Sequence, residues 1–178
     1  MDWTNADKEM VNRIIDEGQT YLDAQLRLAT SADGRAAALA GMLTAAATAL
    51  MAGLIALTIA SQIKLQDKYP IFFGGGLAAA LFLLAAALCI WALVPIGFYL
   101  PGNEPKSWFG DIETKKQLAD ALGEEAQYIQ EKIEENRAAI DLNAKKFRAA
   151  AILAIVAPTT GVLVWLLSSF WERILALI

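Results

Sequence analysis

Residues 36–63 read AAALAGMLTAAATALMAGLIALTIASQI, without one Asp, Glu, Lys or Arg. A helix crossing the hydrocarbon core of a bilayer needs about 20 apolar residues. A single charge at mid-bilayer costs roughly 2.5 to 3.5 kcal/mol on insertion scales, and this stretch carries none. Two further uncharged runs, Tyr69–Asn103 and Ala149–Trp171, repeat the pattern. A soluble chain of 178 residues has too small a core to bury three such helices. The sequence therefore predicts an all-α integral membrane protein with transmembrane helices over 36–63, 69–100 and 148–171.

Composition agrees with that class. Hydrophobic residues make up 57% of the chain, ordinary for a small membrane protein and high for a soluble domain. The net charge of −4 shows no basic face for nucleic acid. There is no histidine and one cysteine, Cys89, inside an apolar run, so haem, structural zinc and an internal disulfide are not expected. Cys89 reads as a buried, inert side chain. The opening residues are polar and acidic (Asp2, Asp7, Glu9, Asp16, Glu17) and lack a basic n-region, which predicts no cleavable signal peptide.

Loop charge fixes the expected orientation. Three spans put residues 1–35 and the segment from Pro101 to Arg148 on one side, with Arg27, Arg35, Lys132, Arg137, Lys145, Lys146 and Arg148 among their cations. The other side has only Lys64, Lys68 and Arg173. The positive-inside bias predicts a cytoplasmic N-terminus and a short external tail over 172–178. Lys145, Lys146 and Arg148 at one span end, with Trp165 and Trp171 towards the other, read as membrane anchors.

The cytoplasmic segments read as helices. Val11, Ile14, Ile15, Gly18, Tyr21, Leu22, Gln25 and Leu28 recur at three- and four-residue steps, on a helix expected to run straight into the first span. After Pro101 and Pro105, Asp111 is placed to cap a helix whose Leu122, Ala126, Ile129, Ile133, Asn136, Ile140, Asn143 and Phe147 follow a heptad seam. Lys132 and the neighbouring glutamates fall off that seam, on an expected solvated face. Packing the two helices together predicts an antiparallel two-helix stalk of coiled-coil type. Asn136 and Asn143 either fix its register or, with Gln25, line a polar pocket.

Within the first span Gly41, Ala45, Ala49 and Gly53 stand four apart, continuing Ala37. Small-xxx-small faces let helix backbones approach closely, which drives association in lipid. This face predicts packing within the chain, a homo-oligomer, or a place in a larger membrane complex. Pro95 and Pro158 are expected to kink their helices, with the freed carbonyls satisfied by neighbouring helices or by Thr159 and Thr160. Phosphate loops, a nucleophile elbow, metal-ligand spacing and intramembrane charges are missing, so neither an enzyme, a cofactor protein nor a transporter is expected.

The step Ala32-Asp33-Gly34-Arg35-Ala36 and the stretch Asn143-Ala144-Lys145-Lys146-Phe147-Arg148-Ala149-Ala150 resemble the small transmembrane effectors of bacterial cyclic-nucleotide anti-phage systems, the Pycsar and CBASS type. The order of elements is also similar. The resemblance implies a bacterial inner-membrane protein whose cytoplasmic part senses a cyclic nucleotide and whose spans oligomerise and breach the membrane. It makes Asp33 and Arg35 a candidate switch. A competing expectation is a structural or accessory subunit of a respiratory or photosynthetic assembly.

Overall fold

The computed structural model describes residues 3, 7–59, 65–94 and 97–175, with the side chains of 65–68, 172, 173 and 175 outside that description. The chain is all-helical, with no strand among the described residues. Helix α1 runs unbroken over Lys8–Ile59 and α2 over Leu65–Ala92. A 3-10 turn at Pro105–Trp108 and the short α3, Phe109–Glu113, lead into α4 over Leu118–Leu175. Three stretches, within Lys8–Ile59, Tyr69–Ala92 and Leu118–Trp171, are long and apolar enough to cross a membrane. Only 17%, 28% and 17% of their most apolar windows are buried by the protein itself, so the hydrocarbon surface is left outward.

The chain forms two compact units. One comprises Met1–Ala32 with Pro95–Leu142, the other Asp33–Val94 with Asn143–Ile178. In the first, Leu22 of α1 packs against Ile129 and Ile133 of α4. Gly18 lies so close that a Cβ there would sit 2.5 Å from Ile129 Cγ2, and Gln25 Nε2 donates to the Ile133 carbonyl at 3.1 Å. Residue numbers rise together along both helices, so α1 and α4 run parallel. The antiparallel stalk is thus corrected: two helices that each lead into an apolar span at their C-terminal half must point the same way.

In the second unit Ala40 and Leu43 of α1, Ala85, Ala86 and Cys89 of α2 and Ala150 of α4 form one buried cluster. Further along, a Cβ on Gly75 would lie 3.0 Å from Leu54 Cδ2, and one on Gly161 would lie 2.8 Å from the Gly74 carbonyl oxygen. Numbers fall along α2 while they rise along its neighbours, so α2 is antiparallel to both. At Gly74 and Gly161 two backbones touch, the close approach that small residues permit.

Several sequence expectations shift. The second helix ends at Ala92 instead of continuing to 100, with Leu93 and Val94 turning back on the Ile90 and Trp91 carbonyls. A proline at 95 disfavours helix at its predecessor, which accounts for the early stop. Asp111 lies inside α3 and does not cap α4; Lys115, at φ 51°, breaks the chain between them. Lys132 is buried, not solvated, because the turn at 101–103 folds over it. Pro158 stays inside α4, and the Thr159 and Thr160 hydroxyls both donate to the Val156 carbonyl. That is not the Ala154 carbonyl, which the proline deprives of its usual donor. Pro95, residues 60–64 and the last three residues of the tail lie outside the described residues, as do the side chains of Lys68 and Arg173.

Candidate functional site

At Ala37, Gly41 and Ala45 the small-residue face of α1 points away from the rest of its unit, whereas Ala49 and Gly53 reach the edge of a cleft. Ala37, Gly41, Ala45, Ala49 and Gly53 are exposed, while Ala36, Ala40, Leu43, Ala47 and Leu54 are buried. A Cβ built on Gly41 or Gly53 would meet nothing within 4 Å. Thr44 and Thr48 donate to the Ala40 and Thr44 carbonyls at 2.8 and 2.9 Å, so their polar groups are satisfied along the helix. The face is apolar and smooth, and no intrachain partner covers Gly41 or Ala45. The close intrachain approach belongs instead to Gly74, Gly75 and Gly161. The signal for Gly161 is a small-xxx-small step with Ala157, four residues earlier and fully buried, which Pro158 interrupts.

Ala49 and Gly53 border a cleft of about 820 Å³ among α1, α2 and α4, walled by Leu54, Gly75, Phe82 and Trp165. Its lining is almost wholly apolar. A second cleft, about 390 Å³, lies in the first unit and is lined by Asp16, Gln19, Asn103, Trp108 and Glu125 among others. It holds two carboxylates and no lysine or arginine, so its electrostatics oppose a phosphate group. Among the described residues no three or more His, Cys, Asp or Glu side chains gather where they can hold a metal ion.

Asn103, on the wall of the second cleft, ends a strap, residues 99–103, tied down at four points. The Asn136 carboxamide grips the Tyr99 main chain, and Gln19 Oε1 accepts from Gly102 N at 2.5 Å. Lys132 donates to Asn103 Oδ1 at 2.6 Å and lies 4.4 Å from the Tyr128 ring centroid. Asn103 Nδ2 donates onward to Glu125. Gly102 has φ +86°, a backbone state only glycine enters without strain, which lets the strap turn. Hydrogen bonding to Glu135 pushes the Tyr99 hydroxyl above its ordinary pKa, and the bond to Glu124 does the same for Lys116. Asn136 serves neither a seam pair nor a shared pocket: Gln25 binds Ile133, and Asn143 accepts from Lys146 at 3.3 Å.

Asp33 and Arg35 are exposed on α1 where the second unit begins. Among the described residues no ion pair joins them, and Gly34 between them faces open space. The structure does not bring them to any other candidate residue. Lys145, Arg148 and Trp171 are exposed, and Trp165 borders the large cleft. Lys146 differs: its ammonium reaches the Trp91 carbonyl at 3.5 Å and sits 5.0 Å from that indole. No protein-family model, no curated protein and no solved structure matches the chain.

Proposed function

We propose that this protein is a non-enzymatic, three-span membrane protein that associates with further copies of itself through the exposed small-residue face of α1. The carrying observation is that Gly41 and Ala45 stand open although the same helix buries Ala40, Leu43 and Ala47 next to them. In lipid no hydrophobic effect draws helices together, and smooth faces that allow backbone contact supply the missing attraction. In this reading α1 and α4 each enter the bilayer from the cytoplasm at their C-terminal halves, which their parallel course requires. The cytoplasmic placement rests on the cations of the N-terminal segment and of the segment between the second and third spans.

Within that reading the assembled protein acts on the membrane itself, as the resemblance to the anti-phage effectors implies. Asp33 and Arg35, exposed where the second unit begins, remain the candidate switch. A cyclic nucleotide finds little support in the acidic cleft of the first unit, so its signal would enter elsewhere. That same acidity favours the second reading, an accessory subunit of a respiratory or photosynthetic complex, which needs no nucleotide.

Crosslinking in native membranes tests the association. Wild-type protein is expected to give a ladder of multimers, and Gly41→Leu with Ala45→Leu to collapse it to monomer at unchanged helicity. A monomer alone in the wild type, or an unaltered ladder in the double variant, defeats the proposal. Induced expression with a supplied cyclic nucleotide separates the two roles. Collapse of membrane potential supports the effector, while an unchanged potential with co-purification of a large complex supports the subunit.

A further inference from the structure

We propose that the cleft of about 820 Å³ among α1, α2 and α4 binds the hydrocarbon chain of a membrane lipid. This rests on the membrane reading above and adds to it a site within the spans.

The first argument is that the cleft cannot close. A Cβ on Gly161 would already lie 2.8 Å from the Gly74 carbonyl oxygen and 2.9 Å from Ala78 Cβ. One on Gly75 would lie 3.0 Å from Leu54 Cδ2. Closer approach of α2 and α4 is blocked by the Gly74 backbone, and that of α2 and α1 by the Leu54 side chain, and interiors otherwise pack without such voids. The second argument is that water cannot fill it. A water needs two to four polar partners, and apolar cavities stay dry; the lining here is almost wholly carbon.

Size selects among apolar occupants. The lining runs along α1 from Ala46 to Leu57, about 16 Å of helix at about 1.5 Å per residue. Spread over that length, about 820 Å³ leaves a mean cross-section of about 50 Å². A helix at least about 10 Å across needs roughly 80 Å². A second copy's helix is too thick to sink fully into it, whereas a flexible methylene chain is slender enough to do so. Phe82 and Trp165 give such a chain two flat aromatic walls.

The test uses full-length protein in phosphatidylcholine vesicles doped with a phospholipid that carries a photoactivatable diazirine in its acyl chain. Crosslinked peptides are mapped by mass spectrometry. Labelling is expected to concentrate on Leu54, Phe82 and Val162 over Ile155 and Leu167, which are exposed outside the cleft. Ala46→Phe and Val162→Trp fill the cleft from opposite walls and leave Gly41 and Ala45 unaltered. Each is expected to cut labelling at Leu54 and Phe82 by about tenfold, the equivalent of expelling about two methylenes. Label at Ile155 and Leu167 should not change. Even labelling over all outward residues, or no change in either variant, overturns the proposal while leaving the membrane reading intact. Crosslinks from a second copy into Leu54 or Phe82 overturn it in favour of a protein occupant. Protein that washes off the vesicles unlabelled defeats the membrane reading itself.

Discussion

The Asn136 carboxamide holds both main-chain polar atoms of Tyr99, accepting its N–H at 2.9 Å and donating to its carbonyl at 3.0 Å. Asn136 is 1% exposed, so these bonds are sheltered from water. An asparagine used this way replaces a missing strand partner for an extended piece of chain. Asn136→Leu roughly keeps the shape and removes both bonds, leaving the part-buried Tyr99 N–H and C=O without these partners. Each net bond contributes about 0.5 to 1.5 kcal/mol, so the loss is about 1 to 3 kcal/mol. Denaturant unfolding in detergent reads the stability, and limited proteolysis reads release of residues 97–104. An unaltered midpoint with an uncut strap would show that the grip contributes nothing.

Two glycines should respond oppositely to the same added methyl. In Gly161→Ala the new Cβ meets the Gly74 carbonyl oxygen and Ala78 Cβ inside van der Waals contact, and neither neighbour has a flexible end that can yield. Overpacking of this kind costs about 1 to 3 kcal/mol. In Gly41→Ala the methyl enters open space. There the unfolding midpoint should hold or rise slightly, since Gly costs a helix up to about 1 kcal/mol relative to Ala. Parallel thermal scans of the two variants check this; equal destabilisation would mean that Gly41 too is packed within the chain.

How far the sequence carried the fold depended on whether the medium told two faces apart. In the first unit water does so. The heptad seam of α4 is buried at Ala126, Ile129, Ile133 and Asn136, while Glu131, Glu134 and Glu135 are exposed, as period and polarity predict. Along the three apolar stretches the outward surface is as apolar as the packed one, so hydropathy cannot choose the packing face. The four-residue series of α1 was legible as a smooth face, but not that it would point outward. Lys132 was misjudged because its burial depends on a strap about 30 residues away in sequence, folded back by Gly102. The same distance hid the Tyr99 main chain as the partner of Asn136. The direction of the two long helices was implicit in counting three spans, and contact pairs such as Gly18–Ile129 make it explicit.

Alkaline pH should loosen the first unit. Tyr99 is held above its ordinary range chiefly by its hydrogen bond to Glu135, and Lys116 above its own chiefly by its bond to Glu124. In both cases folding favours the protonated form. The stabilisation is therefore complete below the ordinary ranges of tyrosine and lysine, and is lost as pH climbs through the raised values. Ultraviolet titration of tyrosinate should show a late component that Tyr99→Phe removes and Glu135→Gln moves back towards the ordinary range. A wild-type curve identical to that of Glu135→Gln would separate the two groups.

Lys146 closes the C-terminal end of α2 from a neighbouring helix. The last carbonyls of a helix have no intrahelical donor and carry partial negative charge, which a cation stabilises by about 0.3 to 1 kcal/mol when exposed and up to about 2 when partly buried. The half-buried Lys146 ammonium lies 3.5 Å from the Trp91 carbonyl, one residue before the end of α2, and over the Trp91 ring at 5.0 Å. Asn143, one turn back on α4, accepts another of its protons at 3.3 Å and steadies the long stem. Lys146→Met keeps the stem and removes the charge. A loss of about 1 to 2 kcal/mol follows from the partly buried geometry, with faster amide exchange confined to the last turn of α2. The exposed Lys145 beside it gives the contrast, since Lys145→Met should stay within about 0.5 kcal/mol of wild type. Hydrogen-exchange mass spectrometry in detergent resolves the two, and unchanged protection over residues 88–92 in Lys146→Met would leave Lys146 as a surface anchor alone.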